Sequence, residues 1–156
     1  MISLLKLEDL SALSKLDQEC FAIFWSSSEL AEELGHQNGI ALGYLENGNL
    51  IGALLARVMI DEIWIFRIMV HPEHRRKKIA HSLVEKISAS IKNTDPPSVT
   101  SIWLEVAKSN EPAIGFYESE GFLRVSSRLG YYQANHLRSE PEDAWVMCQK
   151  FLNICN

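Results

Sequence analysis

The chain has few cysteines, no surplus of positive charge and no long apolar run. Its three cysteines, Cys20, Cys148 and Cys155, form no Cys-x-x-Cys pair and leave an odd number. Neither a disulfide scaffold nor a cysteine-ligated zinc site is expected, and the count suits a reducing compartment. No apolar stretch approaches the roughly 18 residues of a membrane-spanning helix. The opening residues, MISLLKLEDL, turn acidic too soon for a secretory leader, so the expected location is the cytoplasm. With 15 Lys and Arg against 20 Asp and Glu the net charge is −5, which argues against a broad nucleic-acid footprint. No repeat or low-complexity tract interrupts the 156 residues. What remains is an ordinary globule, 47% apolar and 22% charged, long enough for one domain over residues 1–156 with its own core.

Hydrophobic periodicity divides the chain into elements. Ile2 to Leu5 reads as a short strand. Leu10, Leu13, Leu16 and Phe21 mark one face of an amphipathic helix over Glu8 to Cys20. Ser26 and Glu29 form a capping box, before a short helix ending near Gly35. Ile40–Tyr44 and Leu50–Met59 flank Asn47-Gly48, a strong hairpin signal. Asp61-Glu62 turns the chain into the apolar run Ile63–Val70. Ile79, Leu83, Val84, Ile87 and Ile91 recur as one face of a longer helix. Asn93 to Ser98, with Pro96-Pro97, is a break. Ser101 to Val106 is a strand, and Ser109-Asn110-Glu111-Pro112 opens a helix that stops at Gly121. Leu123–Ser127 and Asp143–Phe151 close the chain as strands. The order βααβββαβαββ predicts an α/β domain with a mixed sheet flanked by helices.

The stretch Met69 to Leu83, MVHPEHRRKKIAHSL, stands out. A strand stops at His71-Pro72, and Arg75, Arg76, Lys77 and Lys78 come where the next helix begins. Cations at a helix N-terminus oppose its dipole by a few tenths to about 1 kcal/mol each. They make sense if free N–H groups and cations together hold an anion such as phosphate. The alternative is a solvated basic turn. Position after a buried strand favours a site, because ligands of α/β sheets collect at the carboxyl ends of strands.

The run Arg75-Arg76-Lys77-Lys78-Ile79-Ala80 resembles the Arg/Gln-x-x-Gly-x-Gly/Ala signature of the GNAT N-acetyltransferases. Arg75 and Ala80 match its ends, while Lys78 stands where the family usually has glycine. The resemblance implies a GNAT fold, mixed and mostly antiparallel, and acetyl-CoA as cosubstrate. It implies that the loop Arg75–His81 holds the pyrophosphate, and that Ile68, Met69 and Val70 form a strand splayed to admit pantetheine. Trp103-Leu104-Glu105-Val106, Ser109-Asn110 and the run from Ala113 to Phe122 resemble the bacterial ribosomal-protein-alanine N-acetyltransferases within that family. Further matches are Phe24-Trp25-Ser26, Arg128-x-x-Tyr131-Tyr132 and Glu142-Asp143-Ala144, so the likeness spans nearly the whole chain. It implies Glu105 as general base, Tyr117 as general acid and Asn110 as a coenzyme A contact. The implied acceptor is the N-terminal alanine of a small-subunit ribosomal protein.

The residues admit other readings. Glu105 is an acid inside an apolar strand, where a carboxylate needs a partner, a solvent-facing position or a catalytic role. Tyr117 is either the acid or a helix aromatic packed beside Phe116 and Phe122. Trp25 belongs to the core or to the lip of a pocket, and Tyr131 and Tyr132 line a peptide groove or simply pack. His71 and His74 straddle a proline turn without a completing ligand set, so no metal site is expected. Glu29, Glu32 and Glu33 read as a solvated helix face. The rival functions are acetylation of a small-molecule amine, and a non-catalytic acyl-CoA-binding module whose support is Lys78. Neither a nucleic acid nor a membrane is an expected partner.

Overall fold

Each apolar period closes as an element of the expected kind and in the expected order. The computed structural model describes residues 1–93 and 98–151; Thr94–Pro97 of the expected break, and Cys155, lie outside them. In chain order the elements are β1 (Ile2–Leu4), α1 (Leu10–Cys20), α2 (Ser27–Gly35), β2 (Gly39–Glu46), β3 (Asn49–Met59) and β4 (Glu62–Val70), then α3 (Ile79–Lys92), β5 (Ser101–Ala107), α4 (Glu111–Ser119), β6 (Leu123–Tyr132) and β7 (Glu142–Lys150). Local chemistry explains the boundaries. Ser26 accepts from the Glu29 amide while Glu29 accepts from the Ser26 amide, closing the capping box of α2. Asn47 and Gly48 both take positive φ, as the two-residue β2–β3 turn requires. Gly121 at φ +87° ends α4.

Two boundaries depart from expectation. The first helix begins as a 3-10 turn over Leu7–Asp9. It ends at Cys20 as expected, with Phe21 extended beyond it rather than on its face. β6 runs five residues past Ser127 and carries Tyr131 and Tyr132 with it. The acids of α2 are also not a free solvated face. Arg57 of β3 pairs with Glu33 at 2.7 Å and Glu32 at 3.1 Å, while Glu29 serves the cap.

The seven strands lie in the order β1-β2-β3-β4-β5-β7-β6. Every pairing is antiparallel except β4–β5. One face packs α3 and α4 through Leu83, Val84, Ile87, Ile91 and Ile114, with Phe122 just beyond α4, over Leu54, Ile65 and Leu104. The opposite face packs α1 and α2 through Leu13, Leu16 and Leu30 over Ala53, Leu55 and Met69.

β4 changes face along its length. Ile63 and Ile65 belong to the α3 side, but Met69 belongs to the α1 side. The cause is a bulge: Leu55 pairs with Arg67 and Ala56 with Ile65, leaving Phe66 as the extra residue. The parallel pairing of β4 with β5 covers Glu62–Ile65 against Ser101–Leu104 and stops there. Beyond Ile65 the two strands part. Just before that point Trp64 and Trp103, opposite one another in register, stack at 5.6 Å between centroids.

Candidate active site

Among the described residues the parting of β4 and β5 leaves the Ile68 and Val70 N–H groups without a strand partner on the β5 side, open to a ligand. The Met69 side chain is 2% exposed and sits in the α1-side core. With the His71 amide donating to the Ile51 carbonyl, alternation turns the Met69 backbone to β3 and those of Ile68 and Val70 to the slot.

The basic turn lies directly beyond. His71 accepts from the Glu73 amide at the start of a 3-10 turn over Pro72–His74. Its Nε2 faces Glu19 of α1 at 3.4 Å, and His74 Nδ1 faces Glu46 of β2 at 3.3 Å. The first contact ties the turn to α1 and accounts for His71, while His74 Nδ1, though near Glu46, makes no hydrogen bond among the described residues. Among the described residues no group of three or more His, Cys, Asp or Glu side chains is placed to hold a metal ion.

Arg75 donates to the Val70 carbonyl at 3.2 Å. Arg76, Lys77 and Lys78 are exposed, and among the described residues none of them pairs with a carboxylate. Lys78 is the N-cap of α3 but its side chain makes no cap bond. Among the described residues the first-turn amides of Ile79, Ala80 and His81 thus have no side-chain cap, and they adjoin four cations in sequence, an arrangement suited to a pyrophosphate. The His81 ring is engaged elsewhere, with Nδ1 at 3.0 Å from Glu120 and Nε2 at 3.7 Å from Glu85, so its backbone is what it can offer. Lys78 adopts φ +61°, ψ +16° and Arg76 φ +62°. The loop thus has the left-handed backbone that glycine would supply, but carries it on charged residues. Gly52 of β3 lets the helix start seat closely, since a Cβ there would come within 2.6 Å of Ile79 Cγ2.

On the other wall of the slot Glu105 emerges from β5 on the face opposite Leu104 and Val106. Its side chain is 12% exposed and accepts from the Arg128 guanidinium. Arg128 in turn lies over the Tyr131 ring at 4.5 Å. Burial, and then Glu105, push the Tyr131 hydroxyl up to about 12. Burial followed by the Glu105 and Glu142 charges also raises Tyr132. These groups meet because β6 and β7 fall out of register between Arg128 and Tyr132. Gly130 sits there at φ +59°, its amide donating to Asp143 at 2.9 Å. Glu142 accepts from the Ser109 amide at 2.8 Å, fixing the loop between β5 and α4 to the same strand.

Tyr117 is 7% exposed, between Phe116 at 5.3 Å and Phe122 at 5.7 Å. Burial first, and then neighbouring Tyr132, hold its hydroxyl well above the ordinary tyrosine range, so it stays protonated. Packing and proton donation are compatible here. Asn110 caps α4, its Oδ1 accepting from the Ala113 amide at 3.3 Å, which leaves its NH2 to offer. Trp25 stacks on the Arg67 guanidinium at 4.8 Å and is half-buried against the α1-side core rather than beside the basic turn.

The structure therefore brings Glu105, Tyr131 and Tyr132 together, with Tyr117 adjoining through Tyr132. It groups Ile68–Val70 with Arg75–His81 at the end of β4. Reading by motif passed over Asp17 and Arg67, which pair with each other, and gave Arg128 no role. Asp17 continues the stripe of Leu13 and Leu16, and Arg67 interrupts an apolar strand. A buried acid in one apolar face and a base in another were the available signal.

The chain matches the acetyltransferase (GNAT) family over residues 10–122. It is 32% identical over 146 residues to the ribosomal protein bS18-alanine N-acetyltransferase of Escherichia coli strain K12, covering 94% of each chain. It is 28% identical over 132 residues to the Haemophilus influenzae protein of the same name, covering 85% of this chain and 87% of that one. The fold superposes on the crystal structure of the Escherichia coli ribosomal-protein-S18-alanine N-acetyltransferase with a TM-score of 0.85, at 29% identity over 100% of this chain and 97% of that one. It also superposes on Arabidopsis thaliana NAA60 in complex with acetyl-CoA with a TM-score of 0.83, over 97% and 98%, at 17% identity, a likeness of fold. The parted strands, the uncapped basic helix start and these relationships agree: the chain belongs to the GNAT family and is an acetyl-CoA-dependent N-acetyltransferase.

Proposed function

We propose that the enzyme acetylates the α-amine of a protein N-terminus, the N-terminal alanine of a small-subunit ribosomal protein, by direct transfer from acetyl-CoA. The observation that carries this reading is near full-length similarity to bacterial bS18-alanine N-acetyltransferases, together with an acid, Glu105, beside the parted strands. Arg75 to His81 hold the pyrophosphate, with Ile68–Val70 and Asn110 along the pantetheine. Trp25, Tyr131 and Tyr132 border the groove for the acceptor.

In the transfer the acceptor nitrogen attacks the thioester carbonyl carbon. A backbone N–H of Ile68–Val70 meets the developing oxyanion. Glu105, directly or through a water, takes the proton the nitrogen sheds. The carbon–sulfur bond breaks, and Tyr117 gives its proton to the departing thiolate. A peptide α-amine titrates at about 7.7 to 8.0, so a useful fraction is neutral near pH 7. A lysine amine at about 10.4 needs a further 3 to 4 kcal/mol, roughly, to reach the same state. A carboxylate is a weak base, and that difference favours the α-amine. Direct transfer needs no thiol nucleophile, and burial pushes the Cys20 and Cys148 thiols up, away from thiolate.

The test is free-thiol release from acetyl-CoA with an alanine-starting peptide, and with the same peptide N-terminally blocked. Turnover confined to the free terminus is the expected result. Equal turnover with both peptides, or with neither, overturns the α-amine reading.

A further inference from the structure

Asp17 of α1 is fully buried, at 0% exposure, among the leucines of the α1-side core. A carboxylate in that position requires a partner. Arg67 supplies one in a two-pronged contact, Nε to Oδ1 at 2.5 Å and Nη2 to Oδ2 at 3.2 Å. Stability alone does not call for the pair, since apolar residues of similar volume fill such a space as well or better.

The other contacts of the pair share one destination. Asp17 Oδ2 accepts from the Trp25 amide at 2.7 Å. Arg67 Nη2 donates to the Ile23 carbonyl at 3.0 Å. The guanidinium lies 4.0 Å from the Phe21 ring centroid and 4.8 Å from that of Trp25. All four contacts go to the connector between α1 and α2, residues 21–26. That connector has no regular structure, and it exposes Ile23 and Phe24.

The placement of Arg67 follows from Phe66. A regular β4 would put Arg67 on the α3 side with Ile63 and Ile65, because alternate residues share a face. The bulge at Phe66 reverses the alternation just where β4 leaves β5. One inserted residue both precedes the slot and turns a guanidinium onto the connector.

We propose that Asp17 and Arg67 are positioning residues for the acceptor. They fix the connector 21–26, with Trp25, to the strand that borders the acetyl-CoA slot, so that acceptor recognition depends on the pair and acetyl-CoA binding does not. This rests on the reading above that Trp25 borders the acceptor groove.

The test compares wild type with Asp17→Asn, Arg67→Gln and the charge-retaining Arg67→Lys. Three quantities are measured: KM and kcat for the alanine-starting peptide, acetyl-CoA affinity by calorimetry, and amide exchange across residues 21–26. Asp17→Asn and Arg67→Gln are expected to raise peptide KM about tenfold or more, with kcat at saturating peptide and acetyl-CoA affinity close to wild type. Arg67→Lys keeps the charge but not the fork and falls between. Unchanged peptide KM despite faster exchange in 21–26 overturns the proposal. So does a parallel loss of acetyl-CoA affinity, which marks general damage to the fold. Should wild type leave the peptide untouched, the α-amine reading fails and the pair is judged on exchange. Acceleration confined to 21–26 with intact acetyl-CoA affinity then upholds the clamp, and unchanged exchange overturns it.

Discussion

The Arg128 guanidinium closes on the Glu105 carboxylate across β7, which separates their strands. Small residues make the crossing possible: in register Glu105 faces Val146 and Arg128 faces Ala144. A cation therefore already occupies the carboxylate that serves as base in the proposed transfer. Arg128 is more than half exposed and free to swing outward, whereas Glu105 is not. An acceptor amine has to displace it. Arg128→Gln is expected to lower the peptide KM severalfold in steady-state assays, with acetyl-CoA affinity unchanged. A higher peptide KM would show instead that Arg128 grips the acceptor.

Tyr117→Phe removes the proposed proton donor but little packing, because the ring still fits between Phe116 and Phe122. Positioned acids contribute about 10²- to 10⁴-fold. Turnover is expected to fall within that range while calorimetric acetyl-CoA affinity holds. An undiminished rate would strip Tyr117 of the role.

Alkaline stability should report the same cluster. Tyr117, Tyr131 and Tyr132 all hold their protons above the ordinary tyrosine range, Tyr131 up to about 12. The unfolded chain releases them near pH 10, approximately. The native state then binds more protons than the unfolded state, so stability falls as pH rises. Thermal melts are expected to show no such loss below about pH 9 and a steep decline above about pH 10. The pair Tyr131→Phe, Tyr132→Phe should make it shallower, with Tyr117 left to supply the remainder. Phenolate absorbance from these residues while the protein is still folded at pH 10 would contradict the ordering.

Lys78 holds a left-handed backbone at the start of α3. Relief of that strain outweighs the extra chain entropy of glycine, so Lys78→Gly is expected to stabilise the fold by up to about 1 kcal/mol in denaturant titrations. Acetyl-CoA affinity should be no weaker, since the uncapped amides and three other cations remain. A large loss of affinity would mean that the Lys78 ammonium contacts phosphate.

Gly52 tests the placement of the same helix start. Gly52→Val puts carbon where Ile79 now sits, and overpacking of this kind costs roughly 1 to 3 kcal/mol. Displacement of the first turn of α3 should weaken acetyl-CoA binding measured by calorimetry. Unaltered binding would separate the helix start from the pyrophosphate site.

Most of the architecture was legible because α3, β5 and α4 advertise their periods and stops within a few residues: Ile79 to Ile91, Ile102 to Val106, Asn110 to Gly121. The bulge at Phe66 was not. Its cause is the register with β3, a partner several residues away through a turn, and nothing in Ile65-Phe66-Arg67 marks the extra residue. Because the bulge was hidden, so was the turn of Arg67 toward Asp17. Glu105 could be singled out as an acid in an apolar strand, but the capping of its carboxylate by Arg128 depends on the displaced register around Gly130. The reach of β6 to Tyr132 was missed for the same reason, as its late residues are ordered by Asp143 and not by their own pattern.

The stacked pair Trp64 and Trp103 sits at the last rungs before β4 and β5 diverge. Two broad rings in face contact add about 0.5 to 1.5 kcal/mol beyond their buried area, and they do so at the apex of a wedge. Strands that part invite the split to run further, as a crack does from its tip. Here the indoles act as a rivet. The mouth of the wedge can widen around a guest, but its depth is fixed, and with it, in the proposed transfer, how far in a thioester can reach.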